Sequence, residues 1–332
     1  MSQKDKAKIK ASIVELKKKN AFYKDYCKSN KIKITGKINE SIDSINQLCK
    51  LVSKLAKRKD FYQKLPEDYD GACDYVPSAI LHIIESAEIA WEPIVRRCTD
   101  IKNVKRDASM FGCFPWTSKS YPWPVYLDEN NKEVYATPGI QIDLESVKEF
   151  NKDSLGDGLL QVWFTDNIKF DTVLIPRSII NEEGPDATFY ESKWPSFLGP
   201  GGGTEEEELR GWIVSDWKMI GVQTDDIDIL PAFNDEWSRV DVDEFDFTYN
   251  TSKIINMIYD LLDQRHEYCT SLFGVPSVIQ KTWQDFYNEG NRNLLSLNSD
   301  KNIQLLDDEV YAQLMYKKEN HEVDFYFYWD CD

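Results

Sequence analysis

At 332 residues, with 42% hydrophobic and 13% aromatic content, the chain carries enough apolar surface for a sizeable core and is too long for one small domain. That excludes a largely disordered protein; with no run near the roughly 18 apolar residues of a membrane span and no signal-peptide apolar segment after Met1, a soluble, cytoplasmic protein is expected. The net charge of −17 hides a split, because residues 1–66 hold 18 Lys and Arg against 6 Asp and Glu, and subtraction from the totals of 40 and 57 leaves 22 against 51, or −29, on residues 67–332.

Fields of that size steer charged partners together without choosing a fold. Seven cysteines include no C-x-x-C pair, and His82, His266 and His321 lie far apart. Free thiols are the expectation, with no cofactor and no metal centre.

Residues 7–28 place Ile9, Ile13 and Leu16 at helical spacing with lysines on the other face, which predicts an amphipathic helix. A second stripe, Ile42, Ile45, Leu48, Leu51, Val52 and Leu55, begins near Ser41 as an N-cap. A third helix is expected over 78–98, bent at Pro93. Together they predict a basic helical region, a hairpin or small bundle, over 1–104.

From Asp107 the texture turns to Pro, Gly and Trp with short apolar runs, and a second domain is expected over 105–332. Prolines 115, 122, 124 and 138 exclude helix around them. Strands are predicted at Ile140–Leu144, Leu159–Phe164, Thr172–Ile175, Gly211–Val214 and Met219–Val222. Trp116, Trp123, Gln141 and Asp143 are the candidate ligand-pocket residues, because aromatic and polar side chains cluster there.

The glycine run at 199–203 lacks a following Lys-Ser/Thr and leads into four glutamates, so it reads as a surface loop rather than a phosphate cradle. Residues 225–246 hold nine acids, Asp225, Asp226, Asp228, Asp235, Glu236, Asp241, Asp243, Glu244 and Asp246, against the single base Arg239. With no calcium-loop spacing, they read as an acidic face whose natural complement is a basic protein surface. An apolar stripe from Ser252 to Cys269 predicts a further helix.

The end of the chain repeats the order of 109–164. A Phe273-Gly274-Val275-Pro276 turn is followed by a strand in Leu294–Asp300 and an aromatic strand over Val323–Asp330, a degenerate internal duplication.

Phe111-Gly112 with Pro115, Trp123-Pro124, Gln141–Leu144, Gly158–Gln161, Phe273–Pro276, Leu294–Asp300 and Trp329-Asp330-Cys331 occur in an order that resembles the YwqG-like family over about 105–332. The resemblance implies an α+β fold with a mixed or antiparallel sheet and no assigned reaction. It also implies kinship with immunity proteins that block a cognate toxin. Three functional readings follow. The first is a non-enzymatic binding protein, of the immunity or inhibitor kind, facing a basic partner with Asp225 to Glu244. The second is a small-ligand binder or enzyme with its site near Trp116 and Gln141, and the third a nucleic-acid or membrane-surface adaptor working through residues 1–66.

Overall fold

The computed structural model describes residues 3–29, 46–47, 50, 53, 86, 88–98, 104–128, 130–150, 153–166, 169–186, 211–223, 270–276, 289–297, 310–320 and 322–331. The chain divides into two compact units, Met1–Ala90 with Met219–Glu267, and Trp91–Lys218 with Tyr268–Asp332. In the first, helix α1 runs Gln3–Ser29, covering the first predicted helix. Lys8, Lys10, Lys17, Lys18, Lys24 and Lys28 are exposed, and Lys18 pairs with Glu15 at 2.6 Å, a surface contact of small energetic weight. The rest of the expected bundle up to residue 85 lies largely outside the described residues.

The helix expected over 78–98 is a correction, because Glu88–Arg97 is strand β1. Ile89, Ala90, Trp91 and Pro93 are buried there, and a short apolar run of this kind is one that periodicity alone does not separate from a helix.

The other strands are β2 (Met110–Phe111), β3 (Val125–Leu127), β4 (Glu133–Tyr135), β5 (Thr137–Asp143), β6 (Leu159–Asp166), β7 (Lys169–Ile175), β8 (Trp212–Gln223), β9 (Ser271–Phe273), β10 (Asn291–Leu297), β11 (Val310–Glu319) and β12 (Glu322–Cys331). Short helices α2 (Leu144–Val147) and α3 (Arg177–Glu183) follow β5 and β7. Ten strands form one sheet in the order β12-β11-β10-β9-β1-β8-β2-β5-β6-β7, and β3-β4 is a separate ribbon. The order is symmetric about its centre: β2-β5-β6-β7 on one side answers β9-β10-β11-β12 on the other. Neighbours in both runs pair antiparallel wherever register is defined.

The two ends of this sheet meet. Phe327 of β12 packs on Phe170 of β7 at 4.6 Å and on Phe164 of β6 at 6.0 Å, so the sheet curls into a nearly closed barrel whose seam is aromatic contact. Side chains alternate between faces, so register assigns each residue a side. Ile140, Val162 and Thr172 form one row, and Phe164 and Phe170 lie on the same face. Met110, Gln141, Gln161 and Val173 form a row on the opposite face.

Candidate functional site

That second row is roofed by the segment after β2. Gly112 takes a left-handed turn at φ 55, a conformation suited to glycine, and Phe114, Trp116 and Trp123 then fold back over the sheet. Trp123 packs edge-on against Trp163 at 5.0 Å, and its indole donates to Ala136 O at 2.7 Å.

Beneath this roof is a closed network of side-chain amides. Gln141 Nε2 donates to Arg106 O and Ala108 O, each at 2.7 Å, while its Oε1 accepts from Trp116 N and from Gln161 Nε2, each at 2.8 Å. Gln161 Nε2 also donates to Trp116 O at 2.7 Å, and its Oε1 accepts from the Trp163 indole at 3.0 Å. Gln141 is 0% exposed and Trp116 1%. Three of the four predicted ligand-pocket residues, Trp116, Trp123 and Gln141, are therefore buried, and Gln141 makes every hydrogen bond its amide allows inside the protein.

Asp143 differs, being only half-buried. Its side chain caps α2 by accepting from Glu145 N and receives Arg177 Nη2, while Arg177 also reaches Asp107 at 3.5 Å and donates from Nε to Asp157 O at 2.8 Å. Burial lifts the Asp143 carboxyl above its ordinary value, and the opposing pull of Arg177 offsets this only in part. The cluster fastens β5 to the start of α3.

Asp225, Asp226, Asp228, Asp235, Glu236, Asp241, Asp243 and Glu244 lie outside the described residues, as do the glycine run and the helix expected over 252–269. Among the described residues no group of three His, Cys, Asp or Glu is placed to hold a metal ion, and no helix is long and apolar enough to cross a membrane. The buried thiols Cys98 and Cys113 share one apolar cluster. Cys98 N donates to Gly211 O at 2.8 Å, and a Cβ on Gly211 would stand 3.0 Å from Cys113 Cα. The hydrogen bond to Cys98, then burial, pushes the Cys113 thiol well above its ordinary value, which makes it a poor nucleophile.

The far half of the sheet carries a polar row that sequence reasoning missed. Asn293, Met315 and Tyr326 are direct cross-strand partners on β10, β11 and β12 and so share a face. Asn293 Nδ2 donates to Phe273 O at 2.8 Å and to Ser296 Oγ at 2.9 Å, and Ser296 Oγ donates onward to Gln313 Oε1 at 2.7 Å. The first bond braces a strained corner, because Phe273 sits at φ 56, a left-handed conformation unfavourable by about 1–2 kcal/mol for a residue with a Cβ. Asn293 Oδ1 and Tyr326 Oη are buried with no hydrogen-bond partner within the protein. A buried polar atom left so costs about 1–3 kcal/mol. Burial, then the charge of Glu289, raises the Tyr326 phenol, which therefore keeps its proton.

The β3-β4 ribbon has an unusual outer face. Its inner residue Tyr126 packs on the cluster containing Trp123 and Trp163, while Val125, Leu127 and Tyr135 face outward and exposed. Val125 pairs with Tyr135 and Leu127 with Glu133, so the three apolar side chains lie on one side of the ribbon. The connecting turn is held by Asp128, whose Oδ1 accepts from Asn130 N at 2.8 Å and Lys132 N at 2.9 Å.

No family model, curated protein or solved structure matches this chain.

Proposed function

We propose that this chain is a non-enzymatic protein-binding protein of the YwqG-like kind, built on a duplicated sheet scaffold, which engages a basic partner in the manner of an immunity or inhibitor protein. The observation that carries the reading is the outer face of the β3-β4 ribbon. A soluble hairpin ordinarily turns its apolar residues inward and its polar residues out, and here Val125, Leu127 and Tyr135 are turned outward. A small apolar centre with a charged rim is the composition of a protein interface, and Asp128 and Glu133 supply acidic rim. The −29 balance over 67–332, concentrated at Asp225 to Glu244, sets the sign of the partner. The amides near Trp116 support the same reading, because Gln141 and Gln161 are engaged in holding the fold.

The experiment is affinity capture from cytosolic extract at low salt, followed by mass spectrometry. The expected product is a protein of pI above about 9. Its affinity should fall at least tenfold on Leu127→Ser with Tyr135→Ser, and its salt dependence should flatten on neutralising Asp241, Asp243 and Glu244 to amides. Capture of no basic protein, or affinity indifferent to both sets of changes, rejects the proposal.

A further inference from the structure

Helix α1 carries its lysines in two settings. Each helical residue stands about 100° round the axis from the one before it. On that wheel Lys10, Lys17, Lys24 and Lys28 fall within about 60° of Ile13, whose side chain is buried. All four lysines are exposed, and no Asp or Glu of α1 falls on that arc. Lys8 and Lys18 lie about 100° or more from Ile13, on the outward side, together with Glu15, Asp25 and the exposed Val14. There the signs are mixed, and Lys18 is already paired with Glu15 at 2.6 Å.

This placement discriminates between occupants. A helix that offers its cations to an outside polyanion carries them on the side away from the rest of its own unit. The purely basic stripe of α1 instead borders the packed side, so its lysine stems leave the helix beside Ile13. Residues 225–246 belong to the same compact unit as α1 and lie outside the described residues. They hold nine acids against Arg239 alone. The intervals also agree. Lys10, Lys17 and Lys24 are seven apart, which on a helix is about 10.5 Å. Asp225 and Asp228, Asp241 and Glu244, and Asp243 and Asp246 are three apart, which in an extended chain is about 10 Å. Single surface ion pairs are weak. Several of them within one chain act together, because the tether supplies an effective concentration in the millimolar range.

We infer that the face of α1 bearing Lys10, Lys17, Lys24 and Lys28 is a docking surface for the acidic segment 225–246 of the same chain. The contact goes beyond the partner reading and stands without it. Where those acids also face a basic partner, α1 competes with that partner from within the chain; this consequence alone rests on the reading above.

The test is zero-length carbodiimide cross-linking of the full chain at low salt, mapped by mass spectrometry on the monomer. Links from the four stripe lysines to acids of 225–246 are expected. They should fall at least about fivefold in about 1 M salt, where the screening length is about 3 Å. Absence of such links, links equally frequent from Lys8 and Lys18, or links found only between two chains overturns the inference. A matched pair of variants then separates position from charge. Lys17→Gln with Lys24→Gln should free the acids and raise the affinity of fluorescein-labelled decalysine about tenfold. Lys8→Gln with Lys18→Gln removes the same charge from the outward side and should change that affinity less than about twofold. Equal effects of the two pairs overturn the inference. So does binding of an oligothymidylate that Lys17→Gln with Lys24→Gln abolishes, which assigns the stripe to nucleic acid. Should a variant fold poorly, the salt-dependent links in the unaltered chain decide. Links present with no basic protein captured reject the partner reading alone, and a captured basic protein without links rejects only this inference.

Discussion

Gln141 and Asn293 each reach from an inner strand to distant main-chain carbonyls, Gln141 to Arg106 and Ala108 and Asn293 to Phe273, yet only Gln141 has every polar atom of its side chain engaged within the protein. The difference shows how a symmetric sheet acquires one rigid half and one half with unfilled hydrogen-bonding capacity. A buried amide network that closes on itself locks its strands and the roof above them; an open one leaves atoms that gain from a partner.

The comparison breaks most sharply at Gln161. Replacing it with Leu leaves the Trp163 indole without its acceptor and removes the donor to Gln141 Oε1 and Trp116 O, so a loss of about 3 kcal/mol or more in urea unfolding is expected. A loss below about 1 kcal/mol would show that the network does not hold this half. The nearest change in the other half is milder. Ser296→Ala removes one bond from Asn293 and one to Gln313, and the expected loss is about 1–2 kcal/mol by the same measurement.

Asp143 sharpens the contrast through pH. Its folded carboxyl is raised above the ordinary 3.8, so the folded state holds the proton more tightly than the unfolded chain. That contribution to stability is fully present below 3.8 and is lost as the pH rises through the raised folded value. Asp143→Asn should therefore flatten the fall in stability over that acidic window, as read by urea midpoints at successive pH values; an unchanged slope would place the titration elsewhere. The smallest loss is expected for Tyr326→Phe, none at all or a gain of up to about 1–3 kcal/mol, since it removes a buried hydroxyl that has no partner within the protein. A loss near 1 kcal/mol would mean that the hydroxyl is already bonded.

Several elements were legible because one physical signal dominated. The lysine-faced stripe of 7–28 is α1, and the short apolar runs at 140, 159 and 172 are β5, β6 and β7; β5 and β6 are covered on both faces and read as unbroken apolar segments, while β7 ends the sheet with Leu174 exposed. That same rule misled at Glu88–Arg97, where Trp91 and Val95 fit a helical stripe as well as a central strand. Strands β9 and β11 and the β3-β4 ribbon were not anticipated. In β11, the sequence Val310–Glu319 mixes Ala, Gln and Lys, and only its place between β10 and β12 makes Ala312 and Gln313 buried.

The site residues divide the same way. Trp116, Trp123 and Gln141 were marked by their chemistry, but the tryptophans turn inward because the chain folds back after Gly112, and Gln141 faces them by its register on β5. Asn293, Met315 and Tyr326 come from three strands, and nothing local in the chain links them. The one signal available was a polar residue at alternate positions, Asn291 and Asn293, leading into the apolar Leu294-Leu295.

Composition and local pattern settled some of the segments: the charged helix at the start, the apolar strands β5 and β6, glycine at the tight corner of residue 112, and the opposite signs of charge on residues 1–66 and 67–332. Those are properties of residues and their near neighbours, and they persist in any fold. Register, the order of strands across the sheet and the meeting of Phe327 with Phe164 and Phe170 depend on pairings between residues far apart, and these decide which polar atoms find partners. Whether a buried amide is saturated or open is a property of its row, and the row exists only once the sheet has formed.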